Sequence, residues 1–312
     1  KQLMKIFLTG GNGMVGKNVL EFLKRNPIEN TDIIYPSSKE LDLRNYKETK
    51  EFISKLKPQI IVHCAGIVGG IQANINKPTK YFLDNLDIGR NVVYAAYESK
   101  VKQLINLGSS CMYSKDNFKP ITEDQILDGK LEPTNEGYAL AKIVTHKLCS
   151  CISYSDKNFS YKTLIPCNIY GPYDKFLPPK SHLIPAIIYK LHTAKQNGTN
   201  KVSIWGDGKA KREFMYAEDL ARFIIKSITC FEKLPDIMNL GIGHDFSIDE
   251  YYKITAKVVG FKGEFFYDKS KPTGMKRKLV CNKNMKKLKW FPKYNLEDGL
   301  KKTYNYYLST IK

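Results

Sequence analysis

A tyrosine and a lysine four residues apart, Tyr138 and Lys142, have side chains that could carry out proton transfer. Residues four apart on a helix share one face, so both side chains could reach one substrate. The segment predicts a helix, because Pro133, Thr134 and Asn135 stand ahead of an apolar run. A free tyrosine has a pKa of about 10, and a nearby ammonium favours the phenolate and lowers that pKa. An ordinary amphipathic helix with an exposed lysine is the alternative, which the rest of the chain must decide.

The glycine-rich stretch at 9–16, TGGNGMVG, follows a short apolar strand and precedes a helix predicted at 17–24. Strand, glycine turn and helix in this order are typical of a dinucleotide-binding site. Gly10 permits the turn, Gly13 lets the backbone approach a pyrophosphate, and Gly16 allows helix and strand to pack closely. Free N–H groups at the helix N-terminus would then bind the pyrophosphate.

The end of the second predicted strand bears on the choice of cofactor. NAD-binding proteins of this kind usually place Asp or Glu there for the ribose hydroxyls, and neither stands at this strand end. Ser37, Ser38 and Lys39 could hold a 2′-phosphate, so the sequence favours NADP over NAD, although no Arg is present. Asp42 and Leu43 lie where an adenine contact is expected, with a plain loop carboxylate as the alternative.

Two later strands also end in residues that suit a ligand site. One runs into the small residues Ala65 and Gly66, which let a cofactor approach the backbone, and the next runs into a turn with Ser109, Ser110 and Cys111. Ligands bind at the carboxyl ends of strands in an open parallel sheet, so these hydroxyls and this thiol are candidates for chemistry. A serine-rich turn with a buried cysteine is the alternative.

Apolar strands alternate with helices through the first half of the chain, which predicts an α/β fold with a doubly wound parallel sheet, a Rossmann NAD(P)-binding domain. The strands are predicted at 5–8, 32–36, 60–64, 103–107 and 163–166. We place this dinucleotide-binding domain at 1–168, with 214–243 returning to it. Residues 169–213 and 244–312, where the composition changes, would form a smaller mixed α/β substrate domain.

The formal charge of +19 raises the possibility of a nucleic-acid partner. However, 44 of the 50 basic residues are lysine and they are scattered along the chain, with one dense cluster at 269–289. A lysine-rich composition and a polyanionic small substrate account for the charge better. We therefore predict no nucleic-acid partner.

Membrane and metal functions are not expected either. No apolar run reaches the roughly 18 residues that a membrane-spanning helix needs, and no signal-peptide pattern is present. The seven cysteines show no CxxC pair and no paired framework, which predicts a reducing, cytoplasmic location and no metal site.

Taken together, these motifs resemble an extended short-chain dehydrogenase/reductase, and within that group the GDP-L-fucose synthase family. That family consists of NADPH-dependent 3,5-epimerase/4-reductases of GDP-4-keto-6-deoxy-D-mannose. The resemblance covers nearly the whole chain. The stretches that carry it are TGGNGMVG (9–16), VGGI (68–71), GSSCMY (108–113), LEPTNEGYALAKI (131–143), NIYGPYDKF (168–176), SHLIPA (181–186), WGDGKAKREF (205–214) and KPTGMKRKL (271–279).

The resemblance implies a role for each of five residues. Tyr138 would protonate the C4 oxygen, Lys142 would hold the nicotinamide ribose and lower the tyrosine pKa, and Ser109 would polarise the carbonyl. Cys111 would remove protons from the carbons flanking the ketone. His182 would return a proton on the opposite face of the ring, with a packing histidine as the alternative. The chemistry is coherent, because a ketone acidifies the neighbouring C–H and inversion needs a base and an acid on opposite faces.

The resemblance also implies two sets of binding residues and a homodimer formed through two helices of the Rossmann domain. The NADP(H) set comprises Gly10, Gly13, Met14, Val15, Gly16, Ser37, Ser38, Lys39, Asp42, Leu43, Ala65, Gly66, Leu107, Tyr138, Lys142, Pro166, Asn168, Ile169 and His182. The set for the GDP-linked 4-keto-6-deoxy sugar comprises Ser110, Cys111, Asn168, Lys190, Trp205, Arg212 and Lys278.

Some features depart from the family pattern and leave alternatives open. Pro36 and Ser38 replace basic residues at the end of the second strand, which weakens the 2′-phosphate contact. Relatives act on six- or seven-carbon sugars, and some only reduce. The alternatives are a C4 reductase without epimerase activity, a sugar-nucleotide epimerase or dehydratase that retains NAD, and a redox-sensing or nucleic-acid-binding protein that keeps the fold.

Overall fold

The computed structural model describes residues 3–116, 119–178, 180–271 and 274–311. Two residues of the KPTGMKRKL motif, Pro272 and Thr273, lie outside those ranges.

Strands and helices alternate through the first half of the chain, as the sequence predicts. Within the described ranges the strands are β1 (Met4–Thr9), β2 (Thr31–Ile34), β3 (Ile60–His63), β4 (Gln103–Leu107), β5 (Ser160–Pro166), β6 (Asn168–Tyr170), β7 (Lys201–Trp205), β8 (Lys211–Arg212), β9 (Phe214–Tyr216), β10 (Ile237–Leu240), β11 (Phe246–Ser247), β12 (Glu264–Asp268) and β13 (Arg277–Lys278). The helices are α1 (Met14–Arg25), α2 (Tyr46–Leu56), α3 (Ile71–Asn76), α4 (Pro78–Glu98), α5 (Glu136–Ser155), α6 (Leu183–Gln196), α7 (Ala217–Thr229), α8 (Ile248–Val259), α9 (Lys283–Lys287) and α10 (Leu296–Thr310).

The central sheet has six parallel strands in the order β10-β5-β4-β3-β1-β2. Both faces are covered, so its strands are mostly apolar, and alternate side chains of β1 pack into different layers. Ile6 and Leu8 pack with α1 and α7, whereas Phe7 packs with α2 and α4. The predicted doubly wound Rossmann fold is confirmed.

Shorter sheets form the remainder of the protein, in the orders β11-β8-β13, β12-β7 and β6-β9. Here α6, α8 and α10 enclose a second core rich in tyrosine and phenylalanine. Aromatic rings meet edge to face in this core, as where the ring centroids of Tyr170 and Tyr216 lie 5.8 Å apart. β10 returns to the central sheet beside β5. The domain boundaries at 168, 213 and 243 stay a prediction.

Some elements differ from the sequence-based prediction. α1 begins at Met14 rather than at 17, because Gly13 is already its N-cap residue. β2 ends at Ile34 rather than at 36, since Pro36 has no N–H with which to extend the ladder. α2 and α3 were not predicted, because α2 is largely polar and α3 has only six residues. None of the helices in the described ranges has the length and apolarity that a membrane span requires.

The contact between α4 and α5 positions the side chains of both helices, and it depends on Gly89. A Cβ at Gly89 would lie 2.0 Å from Thr145 Oγ1 and 3.0 Å from Thr145 Cβ. Overpacking costs about 1–3 kcal/mol, whereas replacing a helical Gly by Ala gains roughly 1 kcal/mol. We predict that Gly89→Ala lowers the free energy of unfolding by about 1–2 kcal/mol in urea denaturation.

The double variant Gly89→Ala/Thr145→Ala is the matched control, since it removes Thr145 Oγ1, the atom that the new methyl group would meet at 2.0 Å. The Thr145 hydroxyl donates only to Ala141 O of its own helix, so its loss leaves no buried partner from another element. The double variant should regain most of the lost stability. Additive losses would mean that the close approach of the two helices does not set the cost.

Candidate active site

The carboxyl end of β4 carries a hydroxyl and a thiol in contact with each other. β4 ends at Leu107, and one 3₁₀ turn follows at Ser110–Met112. Ser109 Oγ lies 2.7 Å from Cys111 Sγ, and the Cys111 N–H donates to Ser109 Oγ over 3.4 Å. The turn therefore directs both side chains into the same space.

Helix α5 brings Tyr138 and Lys142 to this turn. The Ser109 hydroxyl lies close enough to the Tyr138 hydroxyl to lower the pKa of Tyr138. Lys142 Nζ donates to Leu107 O over 3.1 Å and lies 5.9 Å from the centre of the Tyr138 ring. The structure thus gathers Ser109, Tyr138 and Lys142 into one cluster, with Cys111 beside it.

The electrostatics of Tyr138 differ from the expected lowering of its pKa by Lys142. Burial raises the pKa of Tyr138 well above its usual value, the charge of Cys111 raises it further, and the hydrogen bond with Ser109 opposes both. Burial dominates because a phenolate loses its hydration in this site. The phenol is therefore protonated near neutral pH, which is the form that an acid requires.

Cys111 lies within electrostatic reach of two ammonium groups. Burial lowers the pKa of Lys142 and of Lys278, and the charge of Cys111 opposes that lowering in both. Arg212 lowers the pKa of Lys278 further, while Glu132 opposes it. Cys111 therefore lies beside the basic side chains of the site.

His182 is the N-cap residue of α6. Burial and the nearby charge of Lys175 lower the pKa of His182 to about 4, so its imidazole is neutral near pH 7. Lys175 in turn donates from Nζ to Val68 O over 3.1 Å and links two loops. A neutral imidazole is a weaker acid than the imidazolium form, so the role of His182 as an acid stays a prediction.

The glycine turn after β1 has the shape of a pyrophosphate cradle. Gly10 has a φ of 73°, which favours glycine, and the Gly13 N–H donates to Gly10 O over 2.9 Å. A Cβ at Gly16 would lie 2.2 Å from Gly10 O, so the helix can approach the turn only with glycine there. The first N–H groups of α1 lack partners within the helix and are suited to an anion. These residues fit a dinucleotide.

A second loop completes the cradle and connects it to Lys142. Thr9 Oγ1 lies 2.7 Å from His63 Nδ1 and accepts from the Ala65 N–H over 3.1 Å. A Cβ at Gly66 would lie 3.5 Å from Lys142 Nζ. Ala65 and Gly66 therefore lie between the glycine turn and the cluster of Ser109, Tyr138 and Lys142. A cofactor that reaches from the turn to the cluster would pass these two residues.

The residues after β2 are less available for a 2′-phosphate than the sequence indicated. The Ser37 N–H donates to Glu40 Oε2 over 2.7 Å, and hydrogen bonds from the Ser37 backbone and hydroxyl lower the pKa of Glu40. The carboxylate of Asp42 is held by Arg44 at 2.8–3.2 Å. A phosphate at Ser37 would have to compete with Glu40 for the Ser37 N–H. An adenine at Asp42 would have to compete with Arg44 for the carboxylate.

Two of the predicted substrate residues, Arg212 and Lys278, are register partners in the parallel pair of β8 and β13. Trp205 is 45% exposed at the end of β7, and Lys271 Nζ lies 5.9 Å above its ring. Lys190 donates from Nζ to the carbonyl and hydroxyl oxygens of Ser203. The substrate role of Lys190 stays a prediction, because its ammonium is already engaged.

The remaining predicted residues lie at the ends of elements of the central sheet or close to them. Asn168 donates from Nδ2 to Glu213 O over 2.9 Å. The others are Met14, Val15, Ser38, Lys39, Leu43, Leu107, Ser110, Pro166 and Ile169. Among the described residues, no group of three or more His, Cys, Asp or Glu side chains could hold a metal ion.

Three residues near the site were missed by sequence reasoning. Glu132 lies close enough to Arg212 to raise its pKa against the lowering by burial, and Lys175 faces His182. Asn85 accepts from the Ile67 N–H over 2.8 Å and donates to Ile67 O over 2.9 Å, which fixes the loop after β3. Glu132 and Lys175 lie within motif stretches, which was the available signal, whereas Asn85 lies in none of them.

Comparisons with known proteins agree with this geometry. Residues 6–241 match the NAD dependent epimerase/dehydratase family. A GDP-L-colitose synthase from Yersinia pseudotuberculosis is 54% identical over 98% of each chain, and a GDP-L-fucose synthase from Azorhizobium caulinodans is 48% identical over 98% of this chain and 96% of that one. A solved GDP-mannoheptose C4 reductase from Campylobacter jejuni with NADP bound has a TM-score of 0.87 and 29% identity over 99% of each chain.

The match extends from the glycine turn through the cluster at Ser109 and Tyr138 to the basic residues near the C-terminus. The chain is a member of the NAD dependent epimerase/dehydratase family and belongs to its GDP-L-fucose synthase branch.

Proposed function

We propose that this protein is an NADPH-dependent reductase that acts on C4 of a GDP-linked 4-keto-6-deoxy sugar. The observation that carries the proposal is the cluster of Ser109, Tyr138 and Lys142, which lies next to a glycine cradle that fits a dinucleotide. The GDP-linked substrate is inferred from the names of the GDP-L-colitose and GDP-L-fucose synthases. NADPH and the C4 position are inferred from the name of the solved C4 reductase with NADP bound.

The three clustered residues divide the work of reduction. Bound NADPH would supply the hydride for C4. Tyr138, held protonated by burial, gives its proton to the carbonyl oxygen, and Ser109 hydrogen-bonds the same oxygen and orients Tyr138. Lys142, whose Nζ faces Gly66 of the cradle, holds the ribose hydroxyls.

We further propose that Cys111 and His182 add epimerisation at the carbons that flank the ketone. The Cys111 thiolate takes a proton from a flanking carbon, and the ketone oxygen carries the resulting charge against Ser109 and Tyr138. His182 returns a proton on the opposite face. Reduction without epimerisation is the alternative, because substrate pose decides which C–H meets the thiolate.

Arg212, Lys278 and Trp205 are proposed to bind the GDP end of the substrate. The guanidinium fork suits a pair of phosphate oxygens, and the exposed indole suits stacking on a base. Ser37, Ser38 and Lys39 are proposed to bind the 2′-phosphate in competition with Glu40. A protein that retains NAD is less favoured, and stoichiometric loss of NADPH absorbance with substrate would exclude it.

A homodimer through α4 and α5 is proposed from their outward faces. These helices expose four large apolar side chains, at Leu83, Tyr94, Val144 and Tyr154. Exposed apolar patches on packed helices are typical of interfaces. The seven cysteines are free thiols, and we propose a cytoplasmic location on that ground.

We predict that Tyr138→Phe lowers kcat for reduction by about 10²–10⁴-fold, because the proton donor is lost. The dissociation constant of NADPH should stay within about twofold of wild type, since the ring remains. Tyr154→Phe is the matched control, on the same helix with an exposed ring, and it should have wild-type turnover. Equal turnover of Tyr138→Phe and wild type would refute the role.

We predict that Cys111→Ala abolishes deuterium uptake at the flanking carbons in heavy water, yet still reduces a ketone supplied in its epimerised form. NMR and mass spectrometry of products from candidate GDP-keto sugars provide the measurement. Cys151→Ala, at an exposed position on α5, is the control and should exchange normally. Deuterium uptake that persists in Cys111→Ala would contradict the role of Cys111 as the base. If the wild-type protein shows no deuterium uptake either, the protein is a reductase without epimerase activity.

We predict that Val144→Glu converts a dimer to a monomer at micromolar concentration, because it places a charge in the apolar interface. Size-exclusion chromatography with light scattering measures the mass. Phe291→Glu changes an exposed apolar residue outside α4 and α5 and should stay dimeric. A wild-type protein that is monomeric under the same conditions rules out this interface.

A further inference from the structure

Glu213 is a buried carboxylate that joins two distant segments of backbone. It is 1% exposed and stands between β8 and β9. Its Oε1 accepts from the Gly243 N–H over 2.8 Å, and its Oε2 accepts from the Val280 N–H over 3.0 Å. Each oxygen thus binds a different segment, one after β10 and one after β13.

The space around this carboxylate is closely fitted. A Cβ at Gly241 would lie 2.5 Å from Glu213 Oε1, so only glycine leaves room for the group. Burial raises the pKa of Glu213 to about 7, and the backbone N–H bonds oppose that rise. Burying a carboxyl group is costly unless it is fully hydrogen-bonded, and here backbone donors meet both oxygens.

Residues proposed to bind ligands surround this carboxylate. Arg212 precedes Glu213 directly, and Lys278 is the register partner of Arg212 two residues before Val280. The backbone oxygen of Glu213 accepts from Asn168 Nδ2 over 2.9 Å. The carboxylate is therefore linked to the positions of Arg212 and Lys278, whereas Asn168 is held by the backbone oxygen of Glu213.

The pairing of Arg212 with Lys278 needs such support. β8 and β13 have two residues each, so their ladder offers little resistance to separation. The two cations also oppose each other, since Arg212 lowers the pKa of Lys278. Contacts beyond the ladder also hold this segment: the Val280 N–H donates to Glu213 two residues past the ladder, and Ile121 forms a bridge with Val280.

We propose that Glu213 is a positioning residue that sets the spacing of Arg212 and Lys278 and so shapes the grip on a nucleoside diphosphate. The inference rests on the proposed function, because Arg212 and Lys278 bind the diphosphate there. Glu213 acts through these residues and does not touch the substrate. Ser109 follows β4, and Tyr138 and Lys142 lie on α5, outside the segments that Glu213 joins.

The chain offers a matched control in Asp219, a second buried carboxylate that holds backbone. It is fully buried and accepts from the Lys293 N–H over 2.8 Å and the Tyr294 N–H over 3.0 Å. It fixes the segment before α10, where no ligand residue is proposed. Removing one oxygen acceptor at Asp219 should lower stability alone, whereas the same change at Glu213 should lower both stability and the affinity for the diphosphate. Comparing the two variants therefore separates these effects.

The test compares the full-length wild type with Glu213→Gln and Asp219→Asn. In each variant the amide oxygen can still accept a hydrogen bond from one backbone N–H. The NH₂ group that replaces the second oxygen is a donor and cannot accept from the other N–H. Calorimetry measures GDP and NADP binding, thermal melting measures stability, and steady-state kinetics measures KM and kcat. Both variants should melt at lower temperature.

We expect Glu213→Gln to raise the dissociation constant of GDP, and KM for the GDP-sugar, at least tenfold, with NADP affinity and kcat within about threefold of wild type. Asp219→Asn should bind GDP like wild type. If Glu213→Gln does not fold, Glu213→Asp, which is too short to hold both segments, carries the same expectation.

Unchanged GDP affinity in the Glu213 variant, or an equal loss in both variants, overturns the positioning role and leaves the proposed function intact. A wild-type protein that binds neither GDP nor inorganic pyrophosphate overturns both.

Discussion

The hydrogen bond from Lys142 to Leu107 O joins α5 to the carboxyl end of β4, and the relative position of the proposed catalytic groups follows from it. Lys142 is nearly fully buried, so its ammonium must find a polar partner, and the last carbonyl of β4 provides one. One helical turn earlier, Tyr138 then meets Ser109, which begins the turn that follows β4. The cluster is thus a consequence of packing α5 against the sheet, and its geometry is held by the core.

The site combines burial with an excess of positive charge, and both favour an anionic ligand. Lys142, Lys278 and Arg212 are all desolvated, which lowers the pKa of each. Bringing such groups together is unfavourable without a negative partner, and Glu132 balances only part of their charge. A bound diphosphate would reduce the repulsion between these cations near Arg212 and Lys278. An enolate would reduce it near Lys142. The same cations can therefore serve binding and the stabilisation of charge that develops during reaction.

The parts of the site that depend on nearby residues in the sequence could be predicted from the sequence. The glycine turn, the Ser109–Cys111 turn and the Tyr138–Lys142 spacing could be predicted, because parallel strands gather their carboxyl ends and a helix aligns residues four apart. The contacts of Glu213 could not, since its partners are backbone N–H groups 30 and 67 residues away. The pKa of Tyr138 was predicted in the wrong direction, because the extent of burial cannot be read from spacing.

Reduction and epimerisation place opposite demands on this electrostatic environment. In the proposed epimerisation, the positive charge of the site stabilises the enolate that forms when Cys111 removes a proton. Burial, and after it the charge of Lys175, lowers the pKa of His182 and so weakens the acid that is proposed to return the proton. The conflict is resolved if the enolate itself supplies the negative charge that raises the pKa of His182 once the substrate is bound. On this argument His182 becomes an effective acid only after Cys111 has acted, and a substrate that forms no enolate is reduced with His182 still neutral.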